Sequence, residues 1–450
     1  MPREKKAQNK PIQTAKITKK GRVEPMLPGG FRDYGPADAI TKQRMTDTIR
    51  KTFESFGFDP LETSSVQRTE VLTGGEEDSG KIIYRVIPAQ RGEIMSDEEK
   101  DENSLRFDLT VPLARFVAAN PDIPKPFKRY QIGNVWRGER QQQGRYREFM
   151  QADFDIIGSS SLMADAEIAA VYYTALRNIG LENFTINYNN RVLLDDLPKF
   201  AGFPKEKLWN ALRIIDKTDK IGIEGVEKEI EKEFNMEIAK RITAFIFDGI
   251  GRSGSDNKGG RIYDEISNAL DIFGCDYKKY FCFNLWLVRG LSYYTGSVFE
   301  VILSDAPELG SIGGGGRYDG LIAEFTGQKI PAVGASIGID RLFAAMEKLG
   351  MAEKKATLTK VLVLNLSSEL KSDYLRMVKQ LRDAKINTSF YLGDDTSFQA
   401  QLSYAVKKEI PYVIIFGDEE KKKGVVAVKN LTTREQEPVL REKLVEFFGK

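Results

Sequence analysis

The sequence predicts an α+β fold: a core of mostly antiparallel strands with a few long helices, a helical insertion within that core, and a separate α/β unit at the C-terminus. Three observations carry this. Short alternating or apolar runs recur between 105 and 157 and again between 282 and 337, without the regular strand–helix alternation of a doubly wound sheet. Residues 195–270 change texture, becoming charged, helical in period and rich in Lys and Glu. From Lys360 onward, strand and helix patterns alternate over about 90 residues, enough for one small domain.

Residues 1–22 hold eight Lys or Arg against a single acidic residue, Glu4, and almost no large hydrophobes. Such a segment buries too little to order itself, and a basic disordered tail is expected. Met26–Tyr34 is a turn-rich opening to the core. Ile40, Met45, Ile49, Phe53 and Phe56 then recur at helical spacing, which predicts a helix over 37–57 ended by Gly57. Pro60-Leu61-Glu62 begins an extended segment. Strands are expected at 105–111 and 127–136, with a strand pair within Arg145–Gly158. A helix over 162–180, stopped by Gly180, follows. Further strands are expected at 184–188, 282–289, 297–303 and 333–337, the last feeding a helix from Ile339 to Leu349. The core thus covers 23–350, and the short polar stretch Met351–Lys360 is a linker. In 361–450 the pattern predicts a strand over Val361–Leu366, a helix over 369–384, a strand over 387–392 and a helix over 396–409. Strands at 411–416 and 424–429 and a final helix over 436–448 complete the unit.

Composition excludes several chemistries. No run approaches the eighteen apolar residues that a membrane span requires, and a cytoplasmic protein is expected. Net charge is only +2, so a polyanionic partner would have to be held by local patches. Cys275 and Cys282 make neither a disulfide framework nor a zinc set, and both are read as structural. The chain contains no histidine, where average usage would give roughly ten. Catalytic triads, histidine bases and histidine metal ligands are therefore excluded, which leaves carboxylates, arginines, backbone groups or a bound metal.

Three motifs stand out. Phe127–Arg140 ends in Arg137-Gly138-Glu139-Arg140, passes through a polar loop, and returns as Gly144-Arg145-Tyr146-Arg147-Glu148-Phe149-Met150-Gln151. Arginine forks suit phosphate oxygens, and an aromatic face suits a purine. Ala335-Ser336-Ile337-Gly338-Ile339-Asp340-Arg341-Leu342 runs from a small-residue strand into a helix whose first turn carries an arginine, an arrangement fit for an anion. Arg289-Gly290-Leu291-Ser292-Tyr293-Tyr294 is followed downstream by Gly313–Gly316 and Arg317-Tyr318-Asp319-Gly320. The four glycines let a backbone approach a ligand closely and adopt positive φ.

The first two motifs resemble motifs 2 and 3 of the class II aminoacyl-tRNA synthetases. The third resembles the element peculiar to the histidyl-tRNA synthetase family. The resemblance runs from about Arg22 to the C-terminus and includes a substrate loop, Arg106-Phe107-Asp108-Leu109-Thr110. One departure is Ser292, where the family commonly has Asp.

The resemblance implies an antiparallel class II catalytic core and a C-terminal anticodon-binding domain. It implies ATP-dependent activation of L-histidine followed by transfer to tRNA(His), with Mg²⁺ on the nucleotide and no dedicated protein metal site. Arg137 and Arg289 would flank the α-phosphate, Arg341 would hold the γ-phosphate, Phe149 would stack on adenine, and Glu139 would help to place Mg²⁺. Asp108, Thr110 and Gln151 match positions that hold the α-amino group. Asp155, Tyr293, Tyr294 and Tyr318 would line the imidazole pocket. A homodimer through the 37–57 helix and the following strand is implied as well. The rival readings are a catalytically inactive regulatory paralogue, a histidine-sensing or RNA-binding module, and another class II specificity.

Overall fold

The structure is a computed structural model that describes residues 23–74, 83–87, 102–138, 146–247, 258–288 and 294–449. The tail 1–22, the loop positions Glu139 and Gln141–Gln143, and the segment Arg289–Tyr293 lie outside the described residues.

The chain opens with a helix over Pro36–Ser55, which turns Ile49 and Phe53 wholly inward. Gly57, at φ 75°, reverses the chain. Seven strands follow before the insertion: β1 (Asp59–Pro60), β2 (Val66–Arg68), β3 (Arg85–Val86), β4 (Asn103–Leu105), β5 (Phe127–Trp136), β6 (Glu148–Ile157) and β7 (Phe184–Asn190). β8 (Phe281–Phe283), β9 (Ser297–Leu303), β10 (Ser311–Arg317) and β11 (Ala332–Gly338) follow the insertion. Eight of these strands form one sheet in the order β1-β5-β6-β11-β10-β9-β7-β8, and β2-β4-β3 form a small second sheet. Within the large sheet only β1–β5 and β7–β8 pair in parallel. β5 and β6 pair without a break from Phe127↔Ile157 to Trp136↔Glu148.

One face of the large sheet packs on helices. Along β6, Ala152, Phe154 and Ile156 point into that core, and Phe154 lies 4.8 Å from Phe53 and 5.9 Å from Tyr172, ring to ring. Tyr172 belongs to a helix over Leu162–Asn178, where Ala166, Ala169 and Ala170 let it sit close to the sheet. The period-two alternation sends Gln151, Asp153 and Asp155 to the other face.

Several expectations need correction. The run 105–111 is not a strand: β4 ends at Leu105 and a helix spans Thr110–Ala119, begun where Asp108 Oδ1 accepts from Val111 N at 3.1 Å. Arg145–Gly158 yields one strand, β6, whose partner is β5, rather than a strand pair. The 282–289 run shortens to β8. The glycine run is the interior of β10, and none of its four glycines has positive φ. Cys275 is buried, with its thiol pushed up to about 12, but Cys282 is exposed.

The insertion is helical: Leu197–Ala201, Leu208–Ile215, Thr218–Glu233 with a break at Gly222, Met236–Phe247 and Lys258–Ile272. Residues 351–360 carry no helix or strand. The C-terminal sheet comprises β12 (Val361–Val363), β13 (Thr388–Phe390), β14 (Tyr412–Ile415), β15 (Val425–Asn430) and β16 (Gln436–Leu440), ordered β13-β12-β14-β15-β16. β12 is buried on both faces, Val361 and Val363 against the helix Lys371–Asp383 side, Leu362 and Leu364 against the helix Phe398–Lys407 side. The expected helix over 436–448 is half strand. Pro438 has no N–H to give a helix ladder, whereas β16 lies at the sheet edge and pairs only with β15. The helix begins at Leu444.

Candidate active site

The outer face of β6, β11 and β10 is the floor of a cavity of about 450 Å³. Nine residues singled out from sequence line it: Asp108, Thr110, Arg137, Phe149, Gln151, Asp155, Tyr294, Tyr318 and Arg341. They come from segments more than 200 residues apart, and the sheet register explains how they meet. Gln151 lies opposite Gly338, Asp153 opposite Ser336, and Asp155 opposite Gly334, so the polar row on β6 faces two glycines and a serine across the ladder. A Cβ at Gly334 would lie 1.9 Å from Asp155 Oδ1, so glycine there is what makes room for the carboxylate.

Asp155 is held from two sides. The Tyr318 hydroxyl donates to its Oδ1 at 2.5 Å, and Arg129 Nη2 lies 2.8 Å from its Oδ2. All three side chains are buried. Burial pushes the Asp155 carboxyl up, and Arg129 works against that shift. Burial also pushes the Tyr318 hydroxyl well above its ordinary range, which keeps it a donor.

Asp153 was not singled out from sequence, nor were Ser336, Tyr146 and Ser311, which also line the cavity. The signal was present for Asp153, two residues from Gln151 and from Asp155 on a strand. Burial pushes its carboxyl up to about 7, with Arg129 opposing and Asp155 adding to the shift.

At the other end, Arg137 closes β5. Its Nε donates to Phe107 O at 3.0 Å, and its guanidinium lies 5.1 Å over the Phe149 ring across the hairpin. Arg341 sits in the first turn of the helix Ile339–Lys348 and donates to Ser311 O. Next to it, Asp340 is a structural knot. Its Oδ1 accepts from Tyr34 Oη and Lys42 Nζ, and its Oδ2 accepts from Met150 N, each at 2.5 Å. One buried carboxylate thereby joins the chain opening, the first helix and β6 beside the two arginines.

The motif residue Arg317 does not line the cavity. It is half of a buried ion pair with Asp165 and donates to Ser159 O and Ser161 O at 2.8 and 3.1 Å, fastening the start of the helix Leu162–Asn178. Arg289, Tyr293, Glu139 and Ser292 lie outside the described residues.

Residues 30–342 match the histidyl-tRNA synthetase family and residues 360–450 match the anticodon binding domain. A histidine–tRNA ligase of Wolinella succinogenes is 38% identical over 440 residues, covering 93% of this chain and 96% of the relative. One of Clostridium tetani is 38% identical over 451 residues, covering 95% and 99%. The crystal structure of histidyl-tRNA synthetase from Nostoc sp. PCC 7120 superposes with a TM-score of 0.84 at 31% identity, covering 95% of this chain and 99% of that one.

Proposed function

The chain belongs to the histidyl-tRNA synthetase family and joins histidine to tRNA at the expense of ATP, and from this premise we propose how its cavity divides the work. In the first step histidine's carboxylate attacks the α-phosphorus of ATP. A carboxylate–phosphorus bond forms as the bond to the β-phosphate oxygen breaks, giving histidyl-adenylate and pyrophosphate. In the second step the terminal ribose hydroxyl of tRNA takes the histidyl group and AMP leaves. Positioning and charge stabilisation dominate such transfers, so a chain without histidine can carry them out.

Arg137 and Arg289 flank the α-phosphate, Arg341 holds the γ-phosphate, and adenine stacks on the face of Phe149 that Arg137 leaves open. The cationic character of Arg137 and Arg341 at that end of the cavity supports this. The same donor set suits phosphate oxygens rather than a metal; Glu139 would help to hold Mg²⁺ arriving with the nucleotide, and the ion would neutralise phosphate charge.

Asp108, Thr110 and Gln151 receive the α-ammonium, and at the opposite end Asp155 receives an imidazole N–H with Tyr318 behind it. Tyr293 and Tyr294 close the pocket. A site that hydrogen-bonds an imidazole N–H rejects side chains that leave its buried acceptor unpaired. The C-terminal unit reads the anticodon, the 195–270 insertion touches the acceptor arm, and two copies associate through the Pro36–Ser55 helix and the strand after it. A cytoplasmic location belongs to the same proposal.

The observation that carries this reading is the single cavity with two arginines at one end and a buried tyrosine–carboxylate pair at the other. ATP–pyrophosphate exchange, run separately with each of the twenty amino acids, tests it. Exchange with histidine alone is expected. Exchange with another amino acid would overturn the pocket assignment, and exchange with none would overturn the assignment of activity to the cavity.

A further inference from the structure

The Gln151 amide is the one uncharged member of the polar row on β6, and an amide can face a ligand with either its NH₂ or its oxygen. Here Nε2 donates to Ser336 Oγ at 2.6 Å. The oxygen, Oε1, is buried and has no hydrogen-bond partner among the described residues. Ser336 stands opposite Asp153 in the β6–β11 register, and Asp153 Oδ1 is buried with no hydrogen-bond partner among the described residues, an open acceptor on the same face for the serine proton. A serine hydroxyl has a single proton. Once that proton goes to Asp153, only lone pairs remain for Gln151, which must then turn its NH₂ toward Ser336.

We propose that Asp153 and Ser336 form a directional relay that fixes the orientation of the Gln151 amide, so that its oxygen meets the α-ammonium of histidine. The proposal rests on the reading of Gln151 as an ammonium ligand and adds two positioning residues to it.

The relay has a direction only while Asp153 is an acceptor. Arg129 and Arg106 favour its carboxylate form; Asp155 and Asp108 oppose it; the Tyr172 hydroxyl, which donates to Ser336 O at 3.1 Å, is held neutral by burial. With these neighbours Asp153 titrates near neutrality. A protonated Asp153 donates to Ser336, the serine proton turns to Gln151, and the amide reverses to present NH₂ to an ammonium. A cationic ligand at Gln151 pulls Asp153 back to carboxylate. Histidine binding on the acid side of neutrality therefore releases a proton from Asp153, in addition to any shed by the substrate imidazole.

The test is histidine-dependent ATP–pyrophosphate exchange between pH 6 and 8 with the full chain, Ser336→Ala and Asp153→Asn. Both variants are expected to raise KM for histidine about tenfold at pH 8, the worth of one charge-assisted hydrogen bond, with KM for ATP moving by less than about twofold. Wild-type KM should also climb more steeply toward pH 6 than that of Asp153→Asn, in which only the substrate titrates. Calorimetry of histidine binding at pH 6.5 in two buffers of different ionisation enthalpy should count more protons released from wild type than from Asp153→Asn. Equal proton release, an unmoved KM for histidine, or KM for histidine and ATP rising together would each overturn the relay. Wild-type protein that exchanges with no amino acid would overturn the underlying reading instead.

Discussion

Tyr318 and Asp155, 163 residues apart in the chain, meet in a 2.5 Å hydrogen bond beneath the cavity, the phenol donating to a buried carboxylate. Arg129 lies 2.8 Å from the other oxygen, so the carboxylate is fixed from two sides while it faces the pocket. Tyr318→Phe keeps the ring and removes one of those restraints. KM for histidine should rise about ten- to a hundredfold, because a buried acceptor loses its donor. Steady-state exchange kinetics check this, and a variant within twofold of wild type would remove Tyr318 from the specificity pocket.

The two described arginines should fail differently. Arg137 is proposed to act where charge builds in the transition state, and Arg137→Ala should lower kcat for exchange about a hundred- to a thousandfold. Arg341 is proposed to grip the distal phosphate, so Arg341→Ala should act mainly on KM for ATP. The same phenotype from both would mean that the cavity is not divided along the triphosphate as proposed.

Gly315 lies against the neighbouring strand, where a Cβ would come within 2.1 Å of Gly334 O and 2.5 Å of Ala335 Cα. Backbone cannot yield as a flexible side chain does, so β10 and β11 would have to part. Gly315→Ala should cost about 3 kcal/mol or more. Urea unfolding measures it, and a loss under about 1 kcal/mol would show that the sheet absorbs the methyl.

Asp153 gives a stability prediction with a definite sign. Its carboxyl is raised from 3.8 to about 7 on folding. Between those values the folded protein keeps a proton that the unfolded chain has lost, so stability falls as pH rises across the window and is lowest above it. Asp153→Asn removes the buried charge and should stabilise the ligand-free protein at pH 8 by on the order of 1–3 kcal/mol. The gain should shrink as pH is lowered toward 4. Thermal melts at several pH values would refute this if the gain were absent at pH 8 or constant with pH.

The main elements were legible because each is governed by its own residues. The strand Phe127–Trp136 and the helices near 37–57 and 162–180 follow from hydrophobic period and terminal glycines. The helix Thr110–Ala119 was hidden because Leu105, Phe107, Leu109 and Val111 alternate as a strand would, and its start depends on one Asp108 hydrogen bond. β16 was hidden by flanking charged residues of helical propensity, and Pro438 was the overlooked warning. In the site, the arginines and tyrosines are visible as motif residues. Asp153 lies outside the motif residues singled out, and Ser336 and Asp340, though inside a motif, show no role in sequence, because those roles arise from cross-strand register and from contacts such as Lys42–Asp340, 298 residues apart.

The glycine-rich strand under the cavity has a historical consequence. A surface made of main chain offers a lineage nothing to exchange there, since the smallest substitution already drives a methyl into a neighbouring strand. Innovation in what the cavity admits is therefore confined to the side chains that project into it, such as Asp155, Gln151 and Tyr294. The part of the site that writes least into the sequence is the part that limits how the rest can change.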